Sequence, residues 1–196
     1  MQAFLSKDPW ETLDNWYREA EQAGELMVDA MALATVDASG KPRSRIVLYK
    51  GRVEGKAAFF TNYESAKAHE MDGEPRVALT FHFRSLARQV RIEGAAVKLS
   101  AEASDVYFAS RPRESQIGAW ASPQSQAIVD RGELLQRAET VRARFEGAEV
   151  ARPQFWGGYG VDPELFEFWI GGEFRLHDRF VYAKTGASWA VQQLAP

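Results

Sequence analysis

The strand-like segments of this chain fall into two blocks with a helical block between them, and that order restricts the fold more than any other feature. Residues 31–36, 44–49, 57–61, 76–83 and 89–99 are runs rich in β-branched and aromatic residues, bounded by turn formers. From Ser100 the pattern changes to helical: 101–110, then 114–120 after an interruption at Pro112, then 131–146. The last of these carries Leu134, Ala138, Val141 and Phe145 on one stripe, with Gly147 just beyond. After Pro153 strand signals return at 156–161, 165–170, 179–183 and 189–194. Strands that do not alternate with helices argue against a doubly wound parallel sheet. Roughly seven to nine strands in a mostly antiparallel sheet, curled into a barrel with satellite helices, fit best.

The chain opens on a helix signal. Asp8-Pro9-Trp10-Glu11 offers an acidic cap, a proline in the first turn and a glutamate three residues after the cap. Trp10, Leu13, Tyr17 and Ala20 follow at helical spacing until Gly24. The runs 31–36 and 44–49 flank Asp37-Ala-Ser-Gly40 and predict a hairpin. Residues 65–71 read as a short helix capped by Ser65. In the strand at 89–99, Val90 and Ile92 face one side and Gln89, Arg91 and Glu93 the other. One domain is expected over 1–196: an N-terminal helix (1–25), the first barrel strands (26–99), a helical insertion (100–150) and C-terminal strands (151–196).

Composition narrows the function classes. A net charge of −3 argues against a nucleic-acid binder that relies on a broad basic face. No apolar run approaches the roughly 20 residues a membrane helix needs. The first residues show no signal-peptide pattern, so cytoplasm is the expected compartment. With no cysteine there is no disulfide, thiolate metal site or cysteine nucleophile. His69, His82 and His177 are scattered, so no histidine-rich metal site is expected. Neither a Gly-x-Gly-x-x-Gly nor a Gly-Lys-Ser/Thr fingerprint is present.

The polar chemistry concentrates elsewhere. Phe168-Trp-Ile-Gly-Gly-Glu-Phe-Arg-Leu-His-Asp-Arg-Phe180 is an aromatic run that stops at two glycines and then delivers Arg175, His177 and Arg179. On an extended chain those three share one side, a cationic row suited to an anion. Basic and hydroxyl residues also recur at strand ends and helix starts: Arg45, Lys50, Thr61, Lys67, Gln89, then Tyr107, Arg111 and Ser115 at intervals of four, then Gln124 and Ser125. Arginine forks, lysine point charges and hydroxyl donors are what phosphate binding requires, and there are enough for two phosphates. Each grouping has a plain alternative: Arg45 and Lys50 as solvated ends of an edge strand, Tyr107–Arg111–Ser115 as one exposed helix face, His177 as a surface histidine paired with Asp178 or Glu173.

At these residues the chain resembles the pyridoxine/pyridoxamine 5′-phosphate oxidases, FMN enzymes that make pyridoxal phosphate. The pieces that carry the resemblance are Arg45-Ile-Val-Leu-Tyr-Lys50, Phe60-Thr-Asn62, Lys67-Ala-His69, Arg88-Gln-Val90, Tyr107-Phe-Ala-Ser-Arg-Pro-Arg-Glu-Ser-Gln-Ile-Gly-Ala-Trp120, Gln124-Ser125, Phe155-Trp-Gly-Gly158 and the Phe168–Arg179 stretch. They run in the family's order. The resemblance implies a split β-barrel homodimer with FMN at the subunit interface, each site using both chains. It implies that Arg45, Ile46, Val47, Leu48, Lys50, Phe60, Thr61, Lys67, Gln89, Gln124, Ser125, Trp169 and Arg179 hold or line FMN. It implies that Lys50, Tyr107, Arg111, Ser115, Arg175, Leu176 and His177 bind the substrate, with Arg175 and His177 catalytic. Pyridoxamine 5′-phosphate, pyridoxine 5′-phosphate and O₂ are the implied partners. The rivals are a related flavin oxidase of the phenazine-biosynthesis type and a non-catalytic flavin or pyridoxal-phosphate binder.

Two departures from the family's pattern carry expectations. Ala66-Lys67 stands where an Arg-Lys pair is common, so one FMN phosphate contact is expected to be absent. No equivalent is found of the N-terminal Arg and Tyr that close over the substrate in well-known members, and a more open site is expected.

Overall fold

The computed structural model describes residues 5–196. Helix α1 (Pro9–Gln22) begins as its sequence predicts, with the Asp8 carboxylate accepting the Trp10 N–H at 3.0 Å. Gly24 follows it in the left-handed conformation, φ 75°. The buried face of α1 is Trp10, Leu13, Trp16 and Ala20. Trp16 thus takes the core position expected for Tyr17, which is only half-buried.

Strands β1 (Ala30–Val36) and β2 (Pro42–Leu48) form the predicted hairpin. Asp37 holds its turn by accepting the N–H groups of Ser39 and Lys41 at 2.9 and 3.1 Å. Then come β3 (Arg52–Val53), β4 (Lys56–Asn62), α2 (Ala66–Gly73), β5 (Arg76–Phe83) and β6 (Arg88–Lys98). The helical block is α3 (Ala101–Ser110), α4 (Arg113–Ala121) and α5 (Arg131–Arg144). Strands β7 (Trp156–Ile170), β8 (Asp178–Thr185) and β9 (Ser188–Leu194) complete the chain.

The two strands expected at 156–161 and 165–170 are one strand, β7. Pro163 has no N–H to give a ladder and was a natural place to break it. The register between β6 and β7 instead shifts at Glu93/Gly94, leaving Pro163 opposite Gly94. A bulge is where a proline is tolerated inside a sheet.

Strand β7 organises the sheet. β6 pairs with its residues from Tyr159 to Ile170, while its other edge is shared: β4 takes Trp156–Val161 and β8 takes Leu165–Ile170. The strand order is β2-β1-β5-β6-β7-β4-β3, with β8 and β9 branching from β7, and every pairing is antiparallel. The barrel closes where the chain leaves β2. The Lys50 N–H donates to the Ala58 carbonyl at 2.8 Å, and the Ala58 N–H to the Gly51 carbonyl at 3.0 Å.

Alternation along the strands fills the core with Leu33, Phe59, Leu79, Phe81, Val90, Ile92, Phe166, Phe168 and Tyr182. Each buried aromatic of this kind contributes about 1.5–3 kcal/mol relative to exposure. Helix α1 packs on the β7–β8 side, Trp10 edge-on to Phe166 and Trp16 edge-on to Phe168, each with ring centroids 5.1 Å apart. A second, smaller core of Phe108, Ile117, Val150 and Trp156 seats the helical block. Ala138, Val141 and Phe145 of the predicted α5 stripe pack against it.

A Cβ at Gly94 would lie 2.0 Å from the Asp162 carbonyl oxygen, a backbone atom that cannot step aside. Gly94→Ala is therefore expected to destabilise the fold by about 1–3 kcal/mol, the usual cost of overpacking. An unchanged urea midpoint would show that the bulge relaxes freely.

Candidate active site

A cleft of about 620 Å³ opens between the barrel and the helical block. Strand β2 and the residue after its extension supply Arg45, Ile46, Val47, Leu48 and Lys50; β4 supplies Phe60, Thr61 and Asn62. Lys67 comes from α2, Tyr107 from α3, Ser115, Gly118 and Ala119 from α4, and Trp156 from β7. Arg111, Ser122 and Gln124 come from the connections. No aspartate or glutamate is among the lining residues.

Local chemistry explains the placement. On β2, Val47 and Tyr49 point into the core, so Ile46 and Leu48 point outward, 62% and 39% exposed. After β4, the Asn62 Oδ1 accepts the Glu64 N–H at 2.6 Å and turns the chain into α2. Ser65 does not cap α2 with its side chain, contrary to expectation. Its hydroxyl instead accepts from Lys67 Nζ at 3.3 Å. Lys67 also donates to Thr61 Oγ1 at 3.1 Å and Gln124 Oε1 at 3.2 Å. All three acceptors are neutral, and burial, reinforced by the Arg45 charge, pushes the Lys67 amine below its ordinary value.

Arg45 is held from the other side. Its guanidinium donates to Glu70 at 2.7 Å and to the Leu33 carbonyl at 3.2 Å, and it also donates to the Thr35 hydroxyl.

The break at Pro112 ends α3 before α4 starts, so Tyr107 and Ser115 are not one exposed helix face. Residue Arg111 occupies the corner. Its guanidinium lies 4.6 Å from the Trp156 ring centroid, and its Nη1 is buried with no hydrogen-bond partner among the described residues. Burial lowers its pKa from the usual arginine value. The Phe60 ring stacks on Tyr107 with centroids 3.9 Å apart. Gly158 makes room for it, since a Cβ there would come within 2.8 Å of Phe60 Cε1.

The remaining sequence-predicted residues lie outside this cleft. Gln89, Trp169 and Arg179 form a cross-strand row on β6, β7 and β8. Arg175, His177 and Arg179 are not the single extended row expected from their spacing. Phe174 and Arg175 have φ of 55° and 64°, so a tight left-handed turn replaces extended chain. A Cβ at Gly172 would lie 2.1 Å from the Leu176 carbonyl oxygen, which shows how closely that turn folds back. Arg175 and Leu176 are exposed. His177 Nδ1 accepts the Gly172 N–H at 3.1 Å rather than pairing with Asp178 or Glu173, and its ring sits 4.6 Å from that of Trp169. Arg179 donates to Glu167 at 2.8 Å. Glu167 is buried and also accepts from Arg91 at 2.6 Å, and these hydrogen bonds, that of Arg179 first, hold its carboxyl below the usual range. Ser125 follows Gln124 in a left-handed conformation, φ 70°, and is exposed.

Trp156 and Asn62 line the cleft although sequence reasoning gave them no role there. Glu70 and Asp29, which pair with Arg45 and Lys50, were missed altogether. A lone acid in a helix or before a strand gives no signal until the fold places it beside a cation.

Comparison with known proteins agrees with this geometry. The family model for pyridoxamine 5′-phosphate oxidase matches residues 19–145, and that for the pyridoxine 5′-phosphate oxidase C-terminal dimerisation region matches residues 156–196. A pyridoxine/pyridoxamine 5′-phosphate oxidase of Rubrobacter xylanophilus is 50% identical over 189 residues, covering 96% of this chain and 87% of that protein. One of Coxiella burnetii is 47% identical over 192 residues, covering 98% and 97%. Among solved structures, PhzG from Burkholderia lata 383, in complex with tetrahydrophenazine-1-carboxylic acid, matches with a TM-score of 0.93 at 28% identity over 100% of this chain and 97% of that one. The forked antiparallel barrel, the matched dimerisation region and this degree of identity lead to one conclusion: the chain belongs to the pyridoxine/pyridoxamine 5′-phosphate oxidase family.

Proposed function

We propose that the chain oxidises pyridoxamine 5′-phosphate and pyridoxine 5′-phosphate to pyridoxal 5′-phosphate, using FMN and O₂, as a cytoplasmic homodimer. One observation carries the reading: the cleft has no acid in its lining and contains two cations, Lys67 and Arg111, that meet no carboxylate among the described residues. Two such cations suit two phosphates, one on the flavin and one on the substrate.

The donor set fits FMN. Lys67, Arg45, Thr61 and Gln124 would take its phosphate, with Ser125 just outside the cleft beside Gln124, while Ile46, Val47, Leu48 and Phe60 would line its remainder. Arg111, with its unpartnered Nη1, would take the substrate phosphate together with Lys50, Tyr107 and Ser115. When bound, FMN supplies the two-electron acceptor for the substrate's C4′ carbon and passes the electrons to O₂, giving H₂O₂. The amine substrate then takes up water and leaves as aldehyde and ammonia; the alcohol gives the aldehyde directly.

Gln89, Trp169, Arg175, Leu176, His177 and Arg179 lie outside the cleft of their own chain, and we assign them to the cleft of the partner. Their segment falls largely within the matched dimerisation region, which supports that assignment. Arg175 would orient the pyridine ring and offset charge near C4′. His177 would fix the ring or accept a proton. Its Nδ1 accepts the Gly172 N–H, so the neutral ring carries its hydrogen on Nε2 and offers it as a donor; accepting a proton would require release of the Gly172 contact. The chemistry is FMN's; the protein contributes position and charge.

The likeness to PhzG favours a second reading, an oxidase of an unphosphorylated ring. That ring carries a carboxylate, which can pair with Arg111 but brings one negative charge where a phosphate monoester brings up to two. Addition of pyridoxamine phosphate to the flavin-loaded protein without oxygen separates the two: bleaching of the flavin supports the first reading, and an unchanged spectrum overturns it.

Arg175→Ala is expected to slow that bleaching about 10²-fold, the effect of a misplaced reacting group, with flavin retained. Loss of flavin instead would reassign Arg175. Flavin affinity is also expected to depend on pH. The half-buried Lys67 loses its charge below the ordinary lysine value of 10.5. FMN binding should therefore be full at neutral pH and fall as pH rises, at a lower pH than an unperturbed lysine would give. Lys67→Arg, which stays charged, should remove that alkaline fall in a fluorescence titration.

A further inference from the structure

Four cations line the cleft, and they divide into two kinds. Arg45 and Lys50, from β2 and the residues just after it, each meet a carboxylate at 2.7 Å, Glu70 and Asp29 respectively. Lys67, from α2, and Arg111, from the connection between α3 and α4, meet none among the described residues. Lys67 feels the Arg45 charge and, more weakly, that of Glu70, and Lys50 shares both the cleft and an adjoining cavity with Tyr107, the neighbour of Arg111. Each phosphate grouping therefore holds one neutralised cation and one bare cation.

Neither acid lines the cleft itself, but Asp29 lines the adjoining cavity that Lys50 and Tyr107 also face. Glu70 lies on α2, one turn after Lys67, with its side chain 11% exposed, and it also accepts from the buried Thr35 hydroxyl. Asp29 is fixed just before β1, where its carbonyl accepts the Tyr49 N–H at 2.7 Å. The Glu70 carboxylate is thus held from two sides, while the Asp29 carboxylate is held by Lys50 on a backbone fixed by Tyr49.

We propose that Glu70 and Asp29 are positioning residues that act through Arg45 and Lys50, Glu70 setting the charge offered to the flavin phosphate and Asp29 the charge offered to the substrate phosphate. The inference rests on the reading of the cleft given above. A phosphate monoester brings up to two negative charges, and a carboxylate one side chain behind its cation repels it while holding the cation's geometry. The site thereby binds each phosphate more weakly than its four cations alone would.

The two effects separate on crossed variants. Apoprotein carrying Glu70→Gln or Asp29→Asn is titrated with FMN and with riboflavin by flavin fluorescence, and the KM for pyridoxamine phosphate is measured at saturating FMN. Glu70→Gln is expected to tighten FMN about tenfold, equivalent to about 1.4 kcal/mol, with riboflavin affinity and KM unmoved. Asp29→Asn is expected to lower KM about tenfold with FMN affinity unmoved. Each variant is the other's folding control. Equal shifts for FMN and riboflavin, weaker binding in either variant, or no shift in either would overturn the proposal. Lys67→Ala isolates the underlying reading: if it weakens FMN while Glu70→Gln does nothing, only the role of Glu70 fails. If Lys67→Ala leaves FMN affinity unchanged, the placing of the flavin phosphate is wrong and this inference falls with it.

Discussion

The structure depends on one strand being paired twice along the same edge. β7 gives its first half to β4 and its second half to β8, while β6 runs along its other side. A strand of 15 residues cannot give one edge to two diverging strands without twisting, and the bulge at Pro163 and Gly94 supplies extra twist. Because Gly94 has no Cβ, the two backbones can approach at that point. The fork is what separates the barrel wall that carries the cleft from the β8–β9 hairpin. It therefore decides which of the polar residues can share a cavity within one chain.

Charge is arranged with the same economy. Burying a cation without an anion is costly, and the cleft tolerates it only because neutral oxygens and aromatic faces partly replace water. Lys67 has three neutral acceptors and Arg111 has the Trp156 face. Neither is fully compensated, which is the condition under which an incoming phosphate gains most. On the β8 side the opposite holds: Arg91 and Arg179 converge on the buried Glu167, and Arg91 also meets Glu93 at 3.0 Å, so two cations face two acids. The first arrangement suits ligand binding; the second holds a guanidinium still.

Most elements were legible because their periodicities are strong and their caps are local. The α1 cap, the Asp37 turn and the alternation of Val90 and Ile92 all follow from neighbours in sequence. What failed had nonlocal causes. Pro163 stays inside a strand because Gly94, far away in sequence, yields the space. Ser65 gives up its capping role because Lys67 folds back towards it from within the site. Trp16 displaces Tyr17 from the core because Phe168 offers it an edge-on contact. The cleft cations were legible as residue types, but their counter-acids were not, since Glu70 and Asp29 acquire meaning only through distance.

The turn at Phe174 and Arg175 makes the same point about function. Spacing alone placed Arg175, His177 and Arg179 in one row facing one anion. Two consecutive left-handed residues break that row, each at a cost of about 1–3 kcal/mol for a side chain other than glycine. The cost is met by the Gly172 close approach, the Gly172–His177 hydrogen bond and the Glu167–Arg179 pair, which fix the loop at both ends. A loop strained in this way, with Phe174, Arg175 and Leu176 exposed at its tip, does not stabilise its own chain. Its tip turns Arg175 out to solvent, while His177 folds back on Gly172 and the Trp169 ring.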